Sequence, residues 1–104
     1  MCGIAGVYGE TESDIDPLLD SMTHRGPDGR EVVHLTNGSF GHVRLAIVDV
    51  DGGQQPMSNL LDDHWLVTNG EIYNHEDLRQ QFPDYPFKTE SDSEIILALY
   101  NQYG

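Results

Sequence analysis

The sequence is poor in basic residues. Lys88 is the only lysine, five Lys and Arg face 18 Asp and Glu, and the formal net charge of the 104 residues is −13. Phosphate backbones and anionic membranes are bound through clustered Lys and Arg, so this composition excludes nucleic acid and membrane as default partners. Any anionic ligand must be held by a few placed donors. Because the acidic surplus is mostly Asp, we interpret it as an adaptation to high salt, a hypothesis that a melting curve tests.

The sequence also lacks a second cysteine and any long apolar run. Cys2 is alone, so no intramolecular disulfide is possible. No apolar run approaches the roughly 20 residues that span a bilayer, and acids occupy the N-terminal region where a signal peptide is basic and then apolar. We therefore expect a cytoplasmic protein. The five histidines show no paired ligand spacing, so no metal site is predicted.

Periodicity and turn residues predict the element order β, α, β, β, β, α, α, which indicates an α+β fold with an antiparallel sheet. Strands are predicted at 2–9, 32–35, 40–50 and 65–68. Helices are predicted at about 14–24, 75–82 and 91–103. The strand at 2–9 is expected to be buried, and Asn37-Gly38 predicts a type I′ hairpin turn.

Two helix starts carry the spacing of a capping box. Ser13 is followed three residues later by Asp16, and Ser91 by Glu94. Gly104 is placed to end the last helix. Arg25-Gly26-Pro27-Asp28-Gly29 is predicted to be the turn that ends the first helix.

Cys2 is the residue with the clearest chemistry. A lone cysteine is by default a small buried hydrophobe. Removal of Met1 would instead leave Cys2 with a free α-amino group, whose typical pKa of about 7.7–8.0 lets it act as a base near neutrality. Nucleophile and base would then share one residue, and the following glycine lets a substrate approach closely.

Motifs in register along nearly the whole chain identify a family resemblance. They are Met-Cys-Gly-Ile at 1–4, Arg-Gly-Pro-Asp at 25–28, Gly-His-Val-Arg-Leu-Ala-Ile-Val-Asp at 41–49, Gln-Gln-Pro at 54–56, Asn-Gly-Glu-Ile-Tyr-Asn at 69–74 and Ser-Asp-Ser-Glu at 91–94. Together they resemble the class II glutamine amidotransferase domain of glutamine-dependent asparagine synthetases. The motifs at 25–28 and 69–74 resemble that type more than the sugar-phosphate or phosphoribosyl amidotransferases.

The resemblance implies hydrolysis of the glutamine side-chain amide to glutamate and ammonia. Cys2 is implied to attack the amide carbon and form a thioester, while its own amino group moves the proton. The side-chain amide of Asn69 and the backbone N–H of Gly70 are implied to form the oxyanion hole. From the residues alone, Asn69-Gly70 is also a plain hairpin turn between 65–68 and 71–73, and both interpretations can hold.

The resemblance also implies how L-glutamine is bound. Arg44 is implied to bind the α-carboxylate, a task that suits a bidentate guanidinium, and Asp92 the α-ammonium, with Glu71 assisting. The pocket would be lined, mostly by backbone groups, by Leu45, Ala46, Ile47 and Val48. Without the resemblance, Arg44 is an outward side chain on an alternating strand and Asp92 a first-turn acid favoured by the helix dipole. Arg25 and Asp28 are expected to position the loop near Cys2.

As a fold, the resemblance implies an N-terminal-nucleophile αββα sandwich of antiparallel sheets, of which residues 1–104 hold the first half. One sheet face would then lack its cover and expose apolar surface. No cofactor is expected in this chain. A synthetase domain or chain that uses ATP and magnesium is implied to receive the ammonia, and a homodimer is allowed.

Two alternatives stay open. The chain is either the glutaminase part of a related amide-forming synthetase, or a non-catalytic truncated remnant that binds glutamine or a partner. The sequence does not separate a fragment from a truncated gene product or a stand-alone protein.

Overall fold

A computed structural model describes residues 2–9, 14–45 and 52–104. Its main antiparallel sheet has the order β1-β3-β2 and consists of β1 (Gly3–Tyr8), β2 (Gly29–Leu35) and β3 (Gly38–Arg44). A second antiparallel pair consists of β4 (Met57–Ser58) and β5 (Trp65–Leu66). The helices are α1 (Asp16–Asp20), α2 (His75–Gln80) and α3 (Ile95–Tyr103), with 3-10 turns at Thr23–Arg25 and Asp92–Glu94. The predicted α+β class with antiparallel sheets is confirmed.

Helix α1 packs directly on one face of the main sheet. A Cβ added to Gly41 would lie 2.7 Å from the Leu19 side chain, and one added to Gly3 would lie 2.9 Å from the sulfur of Met22. Leu19 and Val43 are fully buried between the helix and the sheet. Burial of each such side chain contributes about 1.5–3 kcal/mol, so small residues in the strands let this layer close.

The opposite face of the sheet is only partly covered. Side chains alternate along β3, so His42 and Arg44 lie on the face away from Val43 and α1. On this same face, Ile4 is 43% exposed and Tyr8 is 90% exposed. The predicted exposure of apolar sheet surface is therefore observed, whereas the prediction of a buried first strand is wrong, because alternate residues of β1 face solvent.

The predicted hairpin forms between β2 and β3, but its turn lies one residue earlier than expected. Leu35 pairs with Gly38, so Thr36 and Asn37 form the loop, and neither has a positive φ. The type I′ prediction is wrong, since that turn needs positive φ at both central residues. Gly38 instead belongs to β3, where a Cβ would lie 2.0 Å from the carbonyl oxygen of Val7.

The first helix is shorter than predicted. α1 covers only Asp16–Asp20 of the predicted segment 14–24, and the 3-10 turn Thr23–Arg25 follows two residues later. The Asp14 carboxylate accepts a hydrogen bond from the Asp16 amide at 2.9 Å. The predicted partner Ser13 lies outside the described residues.

The predicted capping box at Ser91 is only partly observed, and it caps the 3-10 turn Asp92–Glu94 that leads into α3. The Ser91 hydroxyl accepts from the Ser93 amide at 3.2 Å, one residue before the Glu94 amide that a capping box uses. Glu94 does not complete the box, because its carboxylate binds Lys88 and Thr89 in the preceding loop. The Gly104 amide donates to the carbonyl of Tyr100 at 2.8 Å with a φ of 78°, which is the predicted C-terminal cap.

The segment from β5 to α2 departs most from the prediction. β5 ends at Leu66 rather than at residue 68, and the structure assigns no strand at 71–73. The interpretation of Asn69-Gly70 as a hairpin turn is therefore wrong. The predicted strand from Phe40 is observed to Arg44, and residues 46–50 lie outside the described part. Among the residues that the structure describes, no helix is long and apolar enough to cross a membrane.

Candidate active site

A cavity of about 310 Å³ lies where the ends of β1 and β3 meet the segments at 53–55, 68–73 and 91–93. Every predicted site residue that the structure describes lines it: Cys2, Arg44, Leu45, Asn69, Gly70, Glu71 and Asp92. The other predicted lining residues, Ala46, Ile47 and Val48, lie outside the described residues. The predicted site residues come from four separate stretches of sequence, and they converge on one cavity.

Cys2 is half-buried at the start of β1, and its sulfur contacts the residue that follows β3. The Leu45 amide donates to the Cys2 sulfur at 3.2 Å, and the thiol lies 3.6 Å from the Leu45 carbonyl oxygen. These contacts fix the direction of the Cys2 side chain, and Cys2 lines the cavity.

The turn before β2 holds the backbone of two site residues. Arg25 donates through Nε to the Cys2 carbonyl at 3.3 Å, and the Asp28 amide donates to the Arg44 carbonyl at 2.8 Å. A Cβ on Gly26 would lie 2.3 Å from the Val43 carbonyl carbon, so only glycine lets the turn lie this close to β3. The geometry agrees with the structural role expected for Arg25 and Asp28.

Arg44 is 6% exposed, so the interpretation of it as an outward solvated side chain is wrong. Its neighbour on the same strand face is His42, which also lines the cavity. Arginine keeps its charge when buried and presents a planar fork of donors. It therefore supplies positive charge and directed N–H groups to the cavity wall.

Asp92 is buried at the first position of the 3-10 turn that leads into α3. Its Oδ2 accepts from the Ile72 amide at 2.7 Å, which ties the segment at 68–72 to the last helix. A carboxylate has about four lone-pair positions, so this bond leaves capacity for a ligand. The cavity wall thus combines a buried cation, Arg44, with a buried anion.

The loop before Asp92 is held by Glu94, which is 2% exposed. Its carboxylate accepts from the Lys88 amide at 2.8 Å, from the Thr89 amide at 2.8 Å and from the Thr89 hydroxyl at 2.7 Å. Three donors compensate the burial of its charge. The spacing of Glu94 from Ser91 predicted only a capping role, and no local pattern indicated this one.

Arg79 of α2 braces the same loop from the other side. Its Nη2 donates to the carbonyls of Thr89 and Ser91, each at 2.8 Å. The guanidinium lies 4.2 Å from the ring centroid of Phe87, a cation–π contact. Asp92 therefore begins its turn from a loop that is fixed on both sides.

His42 is 1% exposed, and neither ring nitrogen has a hydrogen-bond partner among the described residues. Burial lowers the pKa of His42, the nearby Thr68 backbone offsets part of this effect, and the charge of Arg44 lowers the pKa further. Burial and the charge of Arg44 thus favour the neutral form of this imidazole. The sequence predicted only a solvated or structural histidine here, with no place at the site.

Other lining residues also escaped sequence analysis: Gly53, Gln55, Thr68, Tyr73, Ser91 and Ser93. For Gln55 a signal existed, since it belongs to the Gln-Gln-Pro motif, but the motif suggested no role. Its Oε1 accepts from the Thr68 amide at 2.6 Å, a contact between residues 13 positions apart. Such a pairing depends on chain geometry that no local pattern encodes.

A single thiol lies in a small cavity with a buried arginine and a buried aspartate, on an α+β domain whose first strand begins next to that thiol. The cavity therefore brings a thiol together with side chains of opposite charge.

Comparison with known proteins identifies the family. The family described as "Glutamine amidotransferase domain" matches residues 1–104, and the chain belongs to it.

Curated relatives carry matching names. The chain is similar to asparagine synthetase B [glutamine-hydrolyzing] of Escherichia coli (strain K12), with 43% identity over 111 residues, covering 100% of this chain and 20% of that protein. It is 39% identical to asparagine synthetase [glutamine-hydrolyzing] 1 of Bacillus subtilis (strain 168) over 99% of this chain and 18% of the relative. The asparagine synthetase [glutamine-hydrolyzing] of Triphysaria versicolor is 40% identical over 100% of this chain and 19% of its own length. The chain spans about a fifth of the length of these relatives.

Proposed function

We propose that this domain hydrolyses the side-chain amide of L-glutamine, with Cys2 as the nucleophile, and releases glutamate and ammonia. The observation that carries the proposal is that Cys2, Arg44 and Asp92 line one cavity. Its volume of about 310 Å³ lies at the lower end of the range for ligand pockets, about 300–1,000 Å³, which suits a ligand of amino-acid size.

Binding uses the two opposite charges of the cavity wall. The guanidinium of Arg44 takes the α-carboxylate of glutamine, and the carboxylate of Asp92 takes the α-ammonium, with Glu71 assisting at the cavity mouth. Leu45, which lines the cavity, contacts the side chain of glutamine in this proposal. Because both charges are buried and face one zwitterion, an amide that lacks the α-ammonium and α-carboxylate binds poorly.

The chemistry begins with the Cys2 sulfur. After removal of Met1, the α-amino group of Cys2 takes the thiol proton, and the sulfur attacks the amide carbon to form a tetrahedral oxyanion. The amino group returns the proton to the leaving nitrogen, the C–N bond breaks, and ammonia leaves a thioester on Cys2. Water then attacks the thioester, the C–S bond breaks, and glutamate is released with the thiol restored.

The oxyanion is stabilised by the side-chain amide of Asn69 and the backbone N–H of Gly70. Both residues are exposed at the cavity edge, and a Cβ added to Gly70 would meet no described atom within 4 Å. The backbone there is accessible to a ligand. One such donor contributes typically about 3–4 kcal/mol to transition-state stabilisation.

We assign residues 1–104 to part of a glutaminase domain that supplies ammonia for ATP-dependent asparagine synthesis from aspartate. The support is that the relatives are named as glutamine-hydrolysing asparagine synthetases and that the chain spans about a fifth of their length. ATP and magnesium belong to a synthetase domain or chain in this proposal, and this domain needs no cofactor. A related amide-forming synthetase is the alternative acceptor.

The test combines intact mass with an ammonia assay. Mass spectrometry of the full chain is expected to show loss of Met1. Ammonia release from glutamine is expected in the wild type and is expected to fall at least about 1,000-fold in Cys2→Ala, since the nucleophile is gone. Retention of Met1, or equal activity in Cys2→Ala, would refute the mechanism. Glutamine binding without ammonia release would favour the non-catalytic alternative.

A further inference from the structure

We infer that Gln55 is a positioning residue that holds the oxyanion-hole segment, residues 68–72, in its working geometry through the backbone of Thr68. The inference rests on the proposed function. It gives a role to the Gln-Gln-Pro motif, in which Gln54 is exposed and Gln55 is 8% exposed.

The first support is the contact itself. The Gln55 side-chain oxygen accepts from the Thr68 amide at 2.6 Å. β5 ends at Leu66, so the sheet ladder does not extend to Thr68. A buried side-chain acceptor thus supplies the hydrogen bond that a longer strand would have provided.

The second support is that the segment is held at both ends. The segment 68–72 is held at its other end by Asp92, whose Oδ2 accepts from the Ile72 amide at 2.7 Å. Between these two anchors lie Asn69, Gly70 and Glu71, all exposed. Exposed residues are not fixed by their own packing, so the two side-chain acceptors set the position of the oxyanion donors.

The two anchors are expected to act on different kinetic constants. Asp92 is assigned to the substrate ammonium, so its loss weakens glutamine binding. Gln55 has no assigned contact with the charged end of glutamine. Its loss lets the donors at 69 and 70 move, and displacement of about 1 Å from working geometry is enough to cost catalysis. The expected effect is therefore on kcat and not on KM.

The experiment compares four variants of the full chain with the wild type. Gln55→Met keeps the side-chain volume but removes the acceptor oxygen. Gln55→Asn shortens the side chain by one methylene, which moves the acceptor away from Thr68. Gln55→Glu retains an acceptor oxygen at the same distance. Gln54→Met is the matched control, because Gln54 is the exposed neighbour. The readouts are kcat and KM for ammonia release, Cys2 alkylation by iodoacetamide, and hydrogen exchange at the Thr68 amide.

Gln55→Met and Gln55→Asn are expected to lower kcat about 10- to 100-fold, less than the roughly 100- to 1,000-fold cost of losing an oxyanion donor outright. KM is expected to stay within about threefold, because Arg44 and Asp92 are untouched. Alkylation of Cys2 develops no oxyanion and is expected to stay within about twofold. The Thr68 amide is expected to exchange faster in both variants, while Gln55→Glu retains most of kcat and Gln54→Met matches the wild type.

Unchanged kcat in Gln55→Met and Gln55→Asn, with an active wild type, would overturn the inference and leave the proposed function intact. A parallel loss of kcat, glutamine binding and Cys2 alkylation would also overturn it, because that pattern indicates general disruption. If the wild type releases no ammonia, the proposed function fails first and the inference fails with it.

Discussion

The guanidinium of Arg79 and the carboxylate of Glu94 bind opposite backbone groups of the same residue, Thr89. Arg79 donates to its carbonyl, and Glu94 accepts from its amide, each at 2.8 Å. Two residues of opposite charge, on α2 and at the start of α3, therefore fix the loop that leads to Asp92. The position of the Asp92 carboxylate therefore depends on the loop that Arg79 and Glu94 hold.

The first prediction concerns Glu94. Glu94→Gln is expected to destabilise the fold by about 1–3 kcal/mol, because an amide nitrogen would replace one of two acceptor oxygens that face the Lys88 and Thr89 amides. For a domain of this size that corresponds to a fall in Tm of at least about 4–8 °C, measured by thermal denaturation. Glu31→Gln, on an exposed position of β2, is the control and is expected to shift Tm little. Equal shifts in the two variants would contradict this account of Glu94.

The second prediction concerns Arg44. Arg44→Ala is expected to raise KM for glutamine about 10- to 100-fold, because a charged hydrogen bond to the α-carboxylate contributes about 1.5–3 kcal/mol. The matched control is Arg30→Ala. Arg30 lies on β2 and pairs with Asp16 and Asp20 at 3.1 and 2.6 Å on the surface. KM for glutamine is measured by steady-state ammonia release in both variants. An unchanged KM in Arg44→Ala would show that this arginine does not bind the carboxylate.

The third prediction follows from the lowered pKa of His42. Below the ordinary histidine pKa of 6.5 the unfolded chain binds a proton at this residue that the folded chain does not. The contribution of neutral His42 to stability is therefore complete above that pH and is lost as pH falls through 6.5 toward the lowered pKa.

The measurement is the Tm difference between pH 7.5 and pH 5.5. Between these pH values, His42→Asn is expected to lose less Tm than the wild type, because it lacks the buried imidazole. His24→Asn, at an exposed position, is expected to follow the wild type. Comparing variants cancels the stabilising effect that acid has on an acidic surface. Identical pH profiles for His42→Asn and the wild type would argue against the burial effect.

Local patterns predicted the elements best where one short stretch determines them. The main-sheet strands, the hairpin and the last helix follow from side-chain periodicity and turn residues within a few positions. Errors occurred where another part of the chain intervenes. Gly38 lies in a strand rather than a turn because β1 passes close to it, and β5 stops early, at the point where Gln55 binds Thr68.

The candidate site shows the same division. Motifs carried by the family resemblance placed Cys2, Arg44 and Asp92 in one site, and these residues line one cavity. Arg25 was expected to hold the loop near Cys2, but the supporting contacts of Arg79, Glu94 and Gln55 escaped prediction. All three bind backbone groups, and a backbone amide or carbonyl leaves no mark in the sequence that would reveal its partner.

The last prediction concerns the acidic composition. The net charge of −13 repels itself, and among the described residues basic side chains pair with few acids, as Arg30 does with Asp16 and Asp20. Salt shortens the screening length from about 10 Å at 0.1 M to about 3 Å at 1 M, which relieves long-range repulsion more than it weakens exposed pairs worth about 0–1 kcal/mol. The Tm is therefore expected to rise by several degrees between 0.1 and 1 M potassium chloride. A variant with Asp14, Glu31, Glu76 and Asp77 changed to amides is expected to show a smaller rise, and a wild-type Tm that does not respond to salt would refute the proposed high-salt adaptation.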